Sequence, residues 1–353
     1  MRNNINDNKS ENKINIEEKI LENKKNYENN NIPEKVKNSE DVKNSEKVKN
    51  SENAKNSENV RNSKNNKKSE NTKNSENTKN SANEKSGMVK DNLGNIVLEK
   101  IRDSECVLVG IGEEFGESIG TWEESSEYSV FKERVSSETE QQWMQPFAEE
   151  LYVRGCKGNR VRRAYKILEE LLDGKNYFIV SVRTDDYIYD TALKQENIVT
   201  PCGGYRYLQC PQGCNHIVCR REEQLLERIS GFLSGKGCLE DIKAPVCPVC
   251  GKIMVYNNIK VQNYVEEGYL ELWNRYKKWL QGTVNRKLCV LELGVGMKYP
   301  SVIRWPFEKI VFFNQKSSFF RVHSKLYQLT EEISERGYKI KEKPIDFLIN
   351  RFV

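Results

Sequence analysis

The sequence predicts an α/β protein: a parallel sheet with helices on both faces and a small cysteine-bearing module inserted into it. Three observations predict it. The runs CVLVG at 106–110 and YFIVSV at 177–182 are continuously apolar rather than alternating, as strands buried on both faces are. Such runs alternate along the chain with segments of helical period. Two pairs of closely spaced cysteines, Cys210/Cys214 and Cys247/Cys250, then interrupt the alternation.

The chain has 353 residues, and residues 1–87 stand apart from the rest. They are almost wholly Asn, Lys, Ser and Glu, and from Lys35 a hexapeptide recurs eight times, from KVKNSE to NTKNSA. One small apolar residue per repeat cannot bury a core, so a disordered N-terminal repeat is expected. A hexapeptide solenoid needs larger aliphatics and turn glycines than this repeat has. Residues 88–353 are expected to form the folded domain, with the cysteine module at about 205–258. The net charge of +5 is misleading: of 57 basic and 52 acidic residues, 19 and 15 fall in residues 1–87, leaving 38 and 37. The folded part is therefore near neutral and offers no basic face for nucleic acid. No apolar run is long enough for a membrane span, and no apolar signal core opens the chain. Paired cysteines without a signal segment point to reduced thiols in the cytoplasm.

The elements follow in order. The first apolar run ends in Gly110-Ile-Gly112, a strand feeding the kind of glycine turn that opens a Rossmann-like dinucleotide-binding unit. Glu113 and Glu114 follow at once, and two carboxylates beside a phosphate repel it. Val161, Ala164, Tyr165, Leu168 and Leu171/Leu172 share one face of a helix over 159–172, which Gly174 ends. Residues 177–182 read as a buried parallel strand. Helices are expected over 221–233 and 267–280. Residues 287–296 are again strand then glycine turn, ending in Gly294-Val-Gly296. Residues 309–313 and 318–322 read as strands, and 326–336 as a helix stopped by Gly337.

The cysteine hooks carry the strongest single signal. Each supplies two thiolates from one tight turn, with Gly and Pro suited to such turns, and two hooks close a tetrahedral zinc shell. Four ligands, Cys210, Cys214, Cys247 and Cys250, leave no open position, so the zinc is expected to be structural. His216 and Cys219 are the substitutes for a hook cysteine. Cys156, Cys238 and Cys289 read as ordinary buried thiols.

Taken together, the order of motifs resembles the sirtuins, NAD-dependent protein deacylases and ADP-ribosyltransferases. The resemblance spans roughly residues 101–336. Its most specific parts are CPVCGKIM at 247–254 followed by Asn257/Asn258, LGVGMKYP at 293–300, and IRWPF at 303–307. These look like the sirtuins encoded beside macrodomains in bacteria, a group linked to protein ADP-ribosylation. The resemblance implies use of NAD, with an acylated or ADP-ribosylated protein as the substrate. It implies that Gly110, Gly112, Gly294 and Gly296 let backbone approach the dinucleotide, and that Asp185 holds the ribose and nicotinamide end. His323 stands where sirtuins place an Asn near the adenosine, and Arg304 lies beside a glycine motif, where it pairs either a phosphate or a protein carboxylate.

The departures fall on the chemistry. Arg183 stands where the family has an Asn, and Cys202-Gly203 aligns with its general base, so Cys202 takes that position. A thiol accepts a proton only as a thiolate with a lowered pKa. The leading expectation is an NAD-dependent transferase that breaks the nicotinamide–ribose bond, for protein deacylation or mono-ADP-ribosylation. The alternatives are a catalytically silent module holding NAD, ADP-ribose or a protein, and an NAD hydrolase with water as acceptor.

Overall fold

The computed structural model describes residues 93–116, 133, 139–155 and 159–352. The N-terminal repeat, expected to be disordered, and Cys156, expected to be a buried thiol, lie outside the described residues. Nine strands are seen among the described residues: β1 (Cys106–Ile111), β2 (Tyr177–Ser181), β3 (Ile198–Val199), β4 (Gly203–Gln209), β5 (Val218–Arg220), β6 (Val255–Asn258), β7 (Leu288–Leu293), β8 (Ser317–Val322) and β9 (Gly337–Ile340). Six of them form a wholly parallel sheet in the order β3-β2-β1-β7-β8-β9. With β4 to β6 set aside as an insertion, this is the doubly wound order 3-2-1-4-5-6. The predicted α/β class with a parallel sheet is what the chain forms.

Among the described residues the longer helices are α1 (93–103), α2 (Gln145–Gly155), α3 (Asn159–Leu171), α4 (Glu223–Leu233), α5 (Glu267–Gln281), α6 (Arg304–Phe313) and α7 (Pro344–Arg351). Both faces of the sheet are covered, which is why β1 and β2 are continuously apolar up to their last residue. Alternate residues of β1 serve the two sides. Val107, Val109 and Ile111 pack with Val97, Ala164, Leu168 and Phe347 on one face. Cys106 and Leu108 pack with Tyr276, Phe307 and Val311 on the other.

The smaller antiparallel sheet, β5-β4-β6, carries the cysteines. Its core takes Tyr205, Leu208 and Tyr256 from the sheet, Met254 from just before β6, Leu225 and Ile229 from α4, and Met144, Phe147 and Ala148 from the segment before α3. The lobe therefore recruits α2 from outside the expected 205–258 insertion.

Two expected elements differ. Residues 309–313, read as a strand, are the last turns of α6. Their β-branched and aromatic side chains favour a strand locally. Phe307 and Val311, four residues apart and fully buried, make a helical stripe against the sheet that overrides this preference. Residues 326–336 are mostly irregular, with helix only at Glu331–Ser334. Gly337 does not stop a helix; it opens β9, where Leu329 and the Ile333 carbonyl come too close for any Cβ.

Candidate functional site

The sheet register brings the predicted residues to one edge. Ile111 pairs with Ser181 and with Leu293, and Leu293 pairs with Val322. All four strands run the same way, so the segments that follow, at 112–116, 182–186, 294–298 and 323–326, leave the sheet side by side. The strand order reverses between β1 and β7, and the crevice at such a switch point is where open α/β sheets take ligands.

The two glycine turns touch there. The Gly112 amide donates to the Leu293 carbonyl at 2.9 Å and the Glu114 amide to the Gly294 carbonyl at 3.0 Å. A Cβ on Gly112 would lie 2.2 Å from the Gly294 oxygen, and Gly294 itself has a φ of +69°, so both positions require glycine. Gly110 has a different neighbourhood: it faces Ile303 and Phe307, which a Cβ would meet at 2.5 and 2.7 Å. Close packing of α6 against β1 accounts for that glycine.

The acidic pair after the first turn spans the crevice. Glu113 accepts from the Gly296 amide at 2.7 Å and from the Lys298 amide at 3.2 Å, one bond to each carboxylate oxygen. Glu114 accepts from the Ser324 amide at 2.9 Å and from the Ser324 hydroxyl. One turn after β1 thus satisfies backbone donors in the loops after β7 and β8.

Arg183 and Asp185 close the other side. The Arg183 guanidinium donates from Nε to Asp185 Oδ2 at 2.8 Å and again from Nη2, while Nη1 donates to the Glu113 carbonyl at 3.0 Å. Arg183 therefore binds both Asp185 and the turn that carries Glu113. Burial works against the charge most strongly, but Asp185, Tyr165 and Tyr187 together outweigh it, so the pKa of Arg183 rises. Asp186, which the sequence reading passed over, is buried with φ +58° and accepts from the Tyr205 amide at 2.6 Å. Burial pushes its carboxyl up to about 7. It ties the sheet edge to β4 at Gly204, where a Cβ would lie 2.3 Å from the carboxylate. The Asp185-Asp186 tandem was the available signal. The Tyr165 hydroxyl nearby is buried and has no hydrogen-bond partner among the described residues.

Cys202 is 2% exposed, and burial, with help from Glu113, pushes its thiol up to about 12 against the pull of Lys298. In these surroundings the thiol keeps its proton at neutral pH, so a base role would require a change around it. Arg304 resolves as structural: it lies 3.5 Å from Glu292 and donates to the carbonyls of Val295 and Leu326 at 2.9 Å each. His323 is buried. Its Nδ1 accepts from the Lys325 and Leu326 amides at 3.0 Å each, so that nitrogen carries no proton and its 3.2 Å approach to Glu114 is not an ion pair. Burial also lowers its pKa.

The four hook cysteines converge. Their sulfurs all lie within 4.8 Å of one another, with Cys210 Sγ 3.6 Å from Cys250 Sγ. Tetrahedral zinc with bonds of about 2.3 Å places sulfurs about 3.8 Å apart, so the set fits a metal of that kind. Gly213 and Gly251 hold the hooks with φ of +66° and +68°. The Gly213 amide donates to the Cys210 carbonyl, and the Gly251 amide to the Cys247 carbonyl, which closes each turn. His216 points elsewhere, 2.8 Å from Glu267, and Cys219 contacts Met254. Cys289 is buried as expected, but Cys238 is exposed. Among the described residues no helix is long and apolar enough to cross a membrane.

No family model matches the chain. It is similar to a protein named "Protein ADP-ribosyltransferase" from Staphylococcus aureus, 24% identical over 184 residues, which is 52% of this chain and 58% of that protein. It is also similar to a "Probable bifunctional ADP-ribose hydrolase/ADP-ribosyltransferase" from Fusarium oxysporum, 28% identical over 142 residues, 39% of this chain and 24% of that protein. The chain thus covers less than two thirds of the length of either relative, and both names concern ADP-ribose.

Proposed function

We propose that the sheet edge at the β1/β7 switch point holds NAD or ADP-ribose, and that the chain transfers ADP-ribose from NAD to a protein acceptor. One observation carries this reading: the doubly wound strand order places two abutting glycine turns at the reversal, in a chain similar to proteins named for ADP-ribosyl transfer. In the reaction the bond between C1′ of the ribose and nicotinamide breaks. Nicotinamide leaves with the bonding pair as a neutral base. C1′ then bonds to the acceptor nucleophile, which gives up its proton. Gly112, Gly294 and Gly296 allow close approach of backbone to the dinucleotide, Asp185 with Arg183 orients the ribose end, and Cys202 borders the reacting end. Sirtuin-type deacylation is a finer version, in which the acceptor is an acyl oxygen. The zinc would be structural.

A second reading, a binding module without turnover, draws on Arg183 neutralising Asp185 and on the raised thiol of Cys202. Binding uses backbone amides and pocket shape. Cleavage also needs groups matched to the developing charge on the ribose. Calorimetric titration with NAD and ADP-ribose, run beside a nicotinamide-release assay, separates the two. Binding in the micromolar to millimolar range is expected, about −8 to −4 kcal/mol. Asp185→Ala is expected to weaken it, and Cys202→Ala to reduce turnover more than affinity. Binding without nicotinamide release supports the second reading. No binding of either nucleotide at millimolar concentration refutes both.

A further inference from the structure

We propose that the Glu113 side chain is an internal competitor for a phosphate of the incoming nucleotide, a latch that must swing out before the crevice fills. This rests on the reading that the β1/β7 edge holds NAD or ADP-ribose.

The donors come first. The amides of Gly296 and Lys298 point into the switch-point crevice from the loop after β7. A pair of converging backbone amides at such a place suits an anion with two acceptor oxygens. Glu113 supplies such an anion from within the chain, with Oε2 on the Gly296 amide at 2.7 Å and Oε1 on the Lys298 amide at 3.2 Å. The carboxylate also takes the space above Gly296, since a Cβ there would lie 3.1 Å from Oε2. A phosphate oxygen and the Glu113 carboxylate cannot use the same two amides together.

The side chain can leave without moving the backbone. The turn is anchored through its main chain: the Glu113 carbonyl accepts from Arg183 Nη1, the Glu114 amide donates to the Gly294 carbonyl, and the Gly112 amide donates to the Leu293 carbonyl. Glu113 is only partly buried and Lys298 is exposed, so rotation about the Glu113 side-chain bonds carries the carboxylate into water. Glu114 differs, because Ser324 binds it through both its amide and its hydroxyl. Its bonds serve the loop after β8.

A competitor of this kind lowers the apparent affinity by the fraction of molecules in which the amides are free. The test is calorimetric titration of the full chain and of Glu113→Ala and Glu113→Gln with two probes, ADP-ribose and adenosine, each variant checked by thermal unfolding. Glu113→Ala is expected to bind ADP-ribose at least ten-fold more tightly than the parent. Glu113→Gln should fall between them, since it keeps one acceptor oxygen and loses the charge. Adenosine, which has no phosphate, should bind all three alike. Equal or weaker binding of ADP-ribose by folded Glu113→Ala overturns the latch and leaves the nucleotide site standing. Equal tightening for adenosine also overturns it, because the gain then does not come from a phosphate. If none of the three folded chains binds either probe, the nucleotide reading fails and the latch with it. Loss of folding in both variants overturns the latch as well, since a displaceable carboxylate is not needed to fold.

Discussion

Arg221→Ala tests what fastens the cysteine lobe to helix α2. The Glu150 side chain is completely buried, and its carboxylate accepts from Arg221 Nη2 at 3.0 Å and from the Tyr256 hydroxyl, with Arg154 Nη1 3.6 Å away. Arg221 is itself buried and also donates to the carbonyls of Tyr205 and Glu222. Truncation leaves a buried carboxylate with one neutral donor and one more distant cation. Breaking one side of a buried pair costs about 3–5 kcal/mol, a large share of a typical total of about 5–15 kcal/mol. In a domain of this size that corresponds to a fall of roughly 6–20 °C in melting temperature. The pH dependence sharpens the test. Burial raises the Glu150 carboxyl above its ordinary range despite Tyr256 and Arg221. A carboxyl raised by folding imposes no penalty below its unfolded pKa, and its penalty grows as pH rises toward the folded value. Loss of Arg221 raises the folded value further. The variant should therefore lose least near pH 4 and most near pH 8, relative to the parent at the same pH. Thermal unfolding at both pH values measures this, beside a Glu150→Leu/Arg221→Leu chain, which should recover much of the loss because no buried charge remains. A loss under about 1 kcal/mol at pH 8, against the range expected for a broken buried pair, or an equal loss at both pH values, would refute the reasoning.

Two further outcomes are expected. Freshly purified, reduced protein should carry about one zinc per chain, and Cys250→Ser should release it and loosen the small lobe, since metal binding and local folding are linked; metal analysis that finds no metal in the parent refutes the site. Iodoacetamide at pH 8 should label exposed Cys238 in the native protein and leave Cys202 unlabelled until unfolding, because burial both shields that thiol and raises its pKa; peptide mapping that finds Cys202 labelled as fast as Cys238 shows the thiol to be open and reactive.

The large sheet was legible because its strands are buried on both faces, which writes a continuous apolar run into β1 and β2 and mostly apolar runs into β7 and β8, broken by the buried Glu292 and Arg321. The small sheet was harder to read. β4 is GGYRYLQ, in which buried and half-exposed residues mix, and its order comes from partners far along the chain. Phe147 lies against Tyr256 with ring centroids 4.9 Å apart, a contact between α2 and β6 that no local pattern announces. The run KIVFF at 309–313 misled for the same reason in reverse. Its local preference is for a strand, but the surfaces that decide it are β1, β7 and β8, against which only Phe307 and Val311 need be buried.

At the site, glycine spacing marked the turns correctly, and side-chain charge alone led elsewhere. Glu113 and Glu114 beside a glycine turn read as repulsion toward a phosphate. That inference treats the carboxylates as free charges. In the structure each is satisfied, and the partners of Glu113 lie 183 and 185 positions along the chain, at Gly296 and Lys298. A carboxylate that finds two converging amides shows that those amides suit an anion. On the proposed reading, the residue that argues against a nucleotide on charge also occupies the amides that would receive its phosphate. Arg183 fits the same logic: placed where the resembled family has an Asn, it holds Asp185 with its Nε and Nη2 and the Glu113 carbonyl with its Nη1, so Glu113, Arg183 and the retained Asp185 form one connected arrangement. Arg183 meets Asp185 through both side chains and Glu113 only through its carbonyl, so a double substitution at 183 and 185 should be non-additive, whereas Glu113→Ala should add to either.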